Sequence, residues 1–92
     1  MKTSALHVRI EGRVQGVGYR NSLKDMAVKL GIRGWVRNRG DGSVEVHMVG
    51  NTEALQSLLA WCQNGSPLAS VSTIHATELD DVPNYSAFSL LT

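Results

Sequence analysis

Arg33-Gly34-Trp35-Val36-Arg37-Asn38-Arg39, then Gly40-Asp41-Gly42-Ser43, then Val44-Glu45-Val46-His47-Met48-Val49: residues 33 to 49 are two β-prone runs around a glycine-rich turn. β-Branched and aromatic residues suit a pleated surface, and glycine and aspartate accept tight-turn torsions, so the stretch predicts a hairpin. Where the hairpin sits in the chain decides the fold. Before it, Leu23, Met26, Ala27 and Leu30 recur at i, i+3, i+4, i+7, an apolar stripe on a helix from about Asn21 to Leu30 that Gly31 can end in a left-handed conformation. After it, Leu55, Leu58, Leu59 and Cys62 repeat the spacing, with Asn51 or Thr52 able to cap the start and Asn64-Gly65 able to close the end. A strand lies beyond each helix. Leu6, Val8 and Ile10 alternate with His7, Arg9 and Glu11, residues 70 to 79 favour a fourth strand, and Tyr85 to Leu91 can form a short fifth.

The order strand, helix, strand, strand, helix, strand is the split βαβ arrangement: an α+β, ferredoxin-like two-layer α/β sandwich (βαββαβ), with an antiparallel sheet and two helices on one face. In that topology strand one lies between strands three and four, and side-chain parity puts His7 and His47 on the open face. His75 joins them if Ile74 and Ala76 point inward.

At 92 residues the chain has room for one domain, expected to span 1–92. The longest apolar run, Leu58-Leu59-Ala60-Trp61-Cys62, is far short of a bilayer span, and the amino terminus lacks a signal-peptide core, so a cytoplasmic protein without membrane contact is expected. Cys62 is the only cysteine, which excludes an intrachain disulfide and a cysteine-based metal site. The net charge of +1 hides a division: all nine basic residues lie in the first 39 positions against Glu11 and Asp25, a local +7, while residues 40 onward carry six acids and no Lys or Arg. The first half is therefore expected to build a surface that attracts an anion.

Residues 12 to 20, Gly12-Arg13-Val14-Gln15-Gly16-Val17-Gly18-Tyr19-Arg20, join strand one to helix one. Gly16 and Gly18 allow the torsions of a curled loop and remove side chains where backbone N–H groups converge. N–H groups at a helix start stabilise an oxyanion, and Arg20 at the helix entrance can grip two phosphate oxygens. A turn that merely packs a helix against a strand looks the same in sequence, and neither the G-x-x-x-x-G-K-[ST] loop nor the dinucleotide fingerprint is present. On strand two, Val36 and Asn38 share one face, Trp35, Arg37 and Arg39 the other. The Asn38 carboxamide, both donor and acceptor, can orient a water without changing charge, or can simply flank the turn.

Residues 12 to 20, together with Gly34-Trp35-Val36-Arg37-Asn38 and Asp41-Gly42-Ser43-Val44-Glu45, resemble the two signature stretches of acylphosphatases. The likeness extends over nearly the whole chain, including a related pattern from Gly65 to Val71. Tyr19 stands where phenylalanine is usual, adding a hydroxyl near the cradle, and Ser66 stands where proline is common. The resemblance implies a hydrolase that splits acyl phosphates into a carboxylate and inorganic phosphate. It implies that the backbone amides of Gln15, Gly16, Val17, Gly18, Tyr19 and Arg20, with the Arg20 side chain, bind the phosphoryl group, and that Asn38 orients the attacking water. No metal or other cofactor is implied. The expected partners are a small-molecule acyl phosphate and competing phosphate or sulfate, the expected state a monomer.

Three other readings differ in class. Metal-assisted hydrolysis would have to use His7, His47 and His75, which lack close ligand spacing. An RNA-binding module would share the fold, but five aromatics, with Trp61 on a helix, are too few for a stacking platform, so no nucleic acid is expected. A non-catalytic anion-binding domain is the third, since acylphosphatase-like modules occur inside larger hydrogenase-maturation proteins; Arg20 and Asn38 favour an active enzyme.

Overall fold

The structure, a computed structural model, describes residues 2–91. Seven elements follow in order: β1 (Thr3–Arg13), α1 (Tyr19–Lys29), β2 (Arg33–Asn38), β3 (Val44–Asn51), α2 (Thr52–Asn64), β4 (Ser70–Glu78) and β5 (Phe88–Leu90). The sheet order is β4-β1-β3-β2-β5, and both helices pack on one face. β1 pairs antiparallel with β3 and β4, and β2 with β3. The expected antiparallel sheet therefore holds for four strands, while β5 joins β2 in parallel and makes the whole mixed. β4 ends at one edge of the sheet and β5 lies at the other, so the connection must cross between them. It brings Tyr85 onto the open face, where the hydroxyl accepts from Trp35 Nε1 at 3.1 Å and lies 3.2 Å from His47 Nδ1.

The core lies between sheet and helices. Val8, Ile10, Val36, Val44, Val46 and Met48 from the strands meet Leu23 and Ala27 of α1 and Leu55, Leu58 and Cys62 of α2, all buried. Burying a leucine-sized side chain stabilises by about 1.5–3 kcal/mol, so the two stripes suffice to fix which helix face turns inward. Both helix ends follow local chemistry. The N–H of Ile32 reaches Ala27 O at 2.9 Å and that of Gly31 reaches Val28 O at 3.1 Å, a Schellman closure made possible by Gly31 at φ 72°. Asn51 caps α2 by accepting from Glu53 N at 2.9 Å.

Helix α1 starts two residues earlier than the stripe suggests, at Tyr19, because the ring of Tyr19 is itself core. That shift puts Arg20 inside the first turn.

On the open face His7 and His47 sit opposite each other, ring centroids 5.1 Å apart, as parity requires. Ile74 and Ala76 lie opposite the buried Ile10 and Val8, so His75 shares this face as expected; it sits opposite Arg9 and bonds Glu11 at 3.0 Å. Among the described residues, no group of three or more His, Cys, Asp or Glu side chains is placed to hold a metal ion. Among them too, no helix is long and apolar enough to cross a membrane.

Candidate active site

The loop between β1 and α1 alternates backbone handedness, with Gly16 at φ 72°, Gly18 at φ 77° and no positive φ at Val17 between them. Such alternation turns successive N–H groups toward one point. Among the described residues, the N–H groups of Gln15 to Asn21 meet no protein acceptor; the first to find one is that of Ser22, on Gly18 O at 3.1 Å. Gly18 is the N-cap and supplies no side chain to close the helix end, and the first turn contains no acid. A cavity of about 230 Å³ lies here, lined by Gly16, Gly18, Tyr19, Arg20 and their neighbours Val14 and Asn21.

Arg20 is half-buried in that wall, and among the described residues its guanidinium forms no ion pair or hydrogen bond. A cation in the first turn of a helix stands at the positive end of the dipole, a placement that costs about 0.3–1 kcal/mol. An anion in the cavity would relieve both the arginine and the open N–H groups. A wider depression of about 400 Å³, bordered by Arg9, Glu11, Asp41 and Ser43, is less suited to one, because Arg9 already bonds Glu11 at 2.9 Å.

The other predicted residues divide. Gln15 turns its side chain away from the cavity and donates to Arg39 O at 2.9 Å and Ser43 O at 3.0 Å, tying the loop to the hairpin. Val17 buries its side chain in the core. The Tyr19 hydroxyl, expected near the cradle, is not there: it donates to Cys62 O at 2.8 Å, behind the loop, and the ring packs 5.4 Å from Trp61. The helix register decides this, since Tyr19 faces α2 while Arg20 faces out. Burial raises the Tyr19 phenol well above its usual range, and burial likewise pushes the Cys62 thiol up to about 12, so neither titrates near neutrality.

Asn38 ends β2 on the face of Val36, opposite Val44. It does not line the cavity itself; the bond from Gln15 to the next residue, Arg39, brings its strand end to the loop. Its Oδ1 is buried and, among the described residues, accepts no hydrogen bond. Buried carboxamide oxygens are normally paired, so this one marks a place where a donor belongs.

Sequence reasoning missed two buried polar residues, one behind the loop and one on the open face of the sheet. Ser66, buried, donates from Oγ to Val17 O at 2.8 Å, and Glu45, buried on the open face, accepts from His7 at 2.6 Å and Arg37 at 2.6 Å. For Glu45 the signal was available, an acid between two valines on a strand; for Ser66, 49 positions from its partner, there was none.

A sequence model of the acylphosphatase family matches residues 6–90. The chain belongs to the acylphosphatase family. It is 50% identical over 88 residues to an acylphosphatase of Thiobacillus denitrificans, covering 96% of this chain and 94% of that one. Acylphosphatase from Bacillus subtilis superposes with a TM-score of 0.94 at 38% identity, covering 97% of this chain and 99% of the other. An acylphosphatase from Coxiella burnetii gives 0.93 at 35% identity, with 97% and 93% covered. Acylphosphatase family and fold together support an enzyme that hydrolyses acyl phosphates, hence a small-molecule substrate.

Proposed function

We propose that this acylphosphatase works without a metal, as a monomeric, single-domain cytoplasmic enzyme over residues 1–92, with the loop at residues 15–20 and Arg20 as its phosphate site and Asn38 as the residue that orients water. The observation that carries the reading is the set of N–H groups from Gln15 to Asn21 that, like the Arg20 guanidinium beside them, find no partner among the described residues. Together they offer directed donors and one fixed positive charge to the three phosphoryl oxygens, and charge spreads over those oxygens as the bond to the acyl oxygen loosens.

Water then forms a bond to phosphorus while the bond to the carboxylate oxygen breaks, and the carboxylate leaves with the electron pair. A carboxylate is a good leaving group at neutral pH, so no protein acid is required. The water's proton passes to the phosphate product or to solvent. The Asn38 carboxamide, at the β2 end that Gln15 ties to the loop, is the group assigned to hydrogen-bond the attacking water, which fixes its lone pair toward phosphorus. No nucleophile of the protein is needed, and Cys62, Tyr19 and the open-face histidines take no part.

The test is hydrolysis of benzoyl phosphate in excess chelator, with phosphate or sulfate added as inhibitor. Turnover should persist, and either anion should compete with substrate. Activity abolished by chelation and restored by a divalent cation would overturn the metal-independent reading; inhibition that leaves KM unchanged would overturn the phosphate site.

A further inference from the structure

We propose that Ser66 is a positioning residue for the phosphate loop: by holding the Val17 carbonyl it aims the Gly18 N–H into the cavity. The proposal rests on the reading of residues 15–20 as the phosphate site. Ser66 is 5% exposed, and its Oγ donates to Val17 O at 2.8 Å. The peptide between Val17 and Gly18 is planar and trans, as are all peptides among the described residues, so its C=O and N–H point in opposite directions. Fixing the carbonyl toward Ser66 therefore fixes the N–H away from it. Gly18 lines the cavity, and its N–H is among those without a protein acceptor.

This peptide needs an anchor. It joins Val17 to a glycine at φ 77°, and glycine offers little resistance when a peptide plane turns over. The turned-over peptide would present a carbonyl oxygen where a phosphate oxygen is to sit, replacing a donor with a repelling acceptor. Ser66 is itself rigidly held, since it follows the α2 C-cap Gly65 and its own carbonyl accepts from Ala69 N at 3.0 Å. Gly65 packs against the Tyr19 ring so closely that an added Cβ would collide with it. Residues 65 and 66 thus clamp the loop from behind at two points, one apolar and one polar. The hydroxyl occupies a buried position, so losing it leaves the Val17 carbonyl unpaired and free to turn.

The test measures inorganic phosphate binding by calorimetry and by amide chemical shifts of residues 15–20, with KM and kcat for benzoyl phosphate, in Ser66→Ala, Ser66→Thr and a distant reference, Ser4→Ala. Ser4 is buried and its Oγ lies 2.7 Å from Thr52 Oγ1, so that variant also loses a buried hydroxyl contact, remote from the loop. Ser66→Ala should raise the phosphate Kd and KM together by about five- to tenfold, the worth of one neutral hydrogen bond, and should shrink the phosphate-induced shift of the Gly18 amide. Ser66→Thr should restore both, and Ser4→Ala should change only the denaturation midpoint. If Ser66→Ala does not fold, Ser66→Cys, similar in shape and a weak donor, must show the same losses.

A phosphate-induced shift in the wild type that persists at full size in Ser66→Ala, with unchanged Kd, would overturn the positioning role and leave the phosphate site standing. Absence of any such shift at residues 15–20 in the wild type would overturn the site and this role with it.

Discussion

The side chain of Gln15 donates to the carbonyl of Arg39 at 2.9 Å, across the gap between the loop that carries Arg20 and the hairpin that carries Asn38. With its second bond, to Ser43 O at 3.0 Å, this amide is a direct polar tie between the two halves of the site. Gln15→Ala removes one of two donors from each carbonyl, since Arg39 O keeps the N–H of Gly42 at 3.2 Å and Ser43 O that of Arg39 at 2.8 Å, and should cost about 0.5–1.5 kcal/mol of stability per bond together with a fall in kcat/KM. Gln15→Glu should be worse, because a carboxylate facing two carbonyl oxygens repels them. Urea denaturation and steady-state kinetics on the same preparations check both. Equal stability of the alanine variant and wild type would remove the tie.

Arg20 should separate stability from function. Arg20→Gln loses the charged bonds to phosphate, typically about 1.5–3 kcal/mol each, so phosphate affinity should drop by at least about tenfold and turnover with it. In buffer without phosphate or sulfate the same variant should be no less stable than wild type, since a cation has been removed from the positive end of α1. Arg20→Lys keeps charge but not the planar fork and should recover only part of the affinity. Calorimetric titration with phosphate beside thermal melts gives both readouts; phosphate binding unchanged in Arg20→Gln would refute the assignment.

Asn38 should do the reverse of Arg20. Asn38→Ala should lower kcat by about 10²-fold or more while KM moves little, the pattern expected when a preorganised polar group acts on the reaction and not on binding. Stability should hold or rise, because the buried Oδ1 has no partner to lose among the described residues. A normal circular dichroism melt must accompany the lost activity. Near-normal kcat, or inactivity through unfolding, would return Asn38 to a turn-flanking role.

Acid should destabilise the fold in two steps. Burial, reinforced by the neighbouring His7 charge, holds the His47 pKa below its ordinary 6.5, so the folded state binds this proton less readily than the unfolded chain. Its contribution is complete above about pH 6.5 and is lost as pH falls through the lowered folded value. Burial alone would raise the Glu45 carboxyl, but the hydrogen bonds from His7 and Arg37 outweigh it and hold it below its ordinary 4.5. That contribution is present above about pH 4.5 and disappears further down. Urea midpoints measured from pH 7.5 to 3 should fall in both windows. His47→Asn should flatten the first and Glu45→Gln the second; a midpoint independent of pH between 7 and 5 would contradict the His47 step.

Periodicity made most of the fold legible. The stripes at Leu23 to Leu30 and Leu55 to Cys62 face the sheet, and the hairpin at 33–49 falls between two crossovers, as read. The parallel partner of β2 was not legible, because residues 79 to 87 show no repeating pattern that tells which edge the chain will reach. Gly16, Gly18 and Arg20 could be placed together at one cavity because their positions depend on a local loop and helix start. The direction of the Tyr19 hydroxyl could not, since a two-residue difference in where α1 begins decides whether it meets the cavity or Cys62. Gln15, Ser66 and Glu45 act through partners on other elements, and one sequence does not reveal such pairings.

The strand order also bears on how the proposed site comes into being. β1, which feeds the loop, and β2, which ends at Asn38, are not neighbours; β3 lies between them and pairs with both. Residues close in sequence within each half can order early, but the halves acquire their spacing only when the central strand is flanked on both sides, a step dominated by contacts distant along the chain and therefore slow. During refolding, recovery of activity should lag behind helix formation and coincide with the final kinetic phase, so an enzymatic assay here doubles as a clock for completion of the sheet.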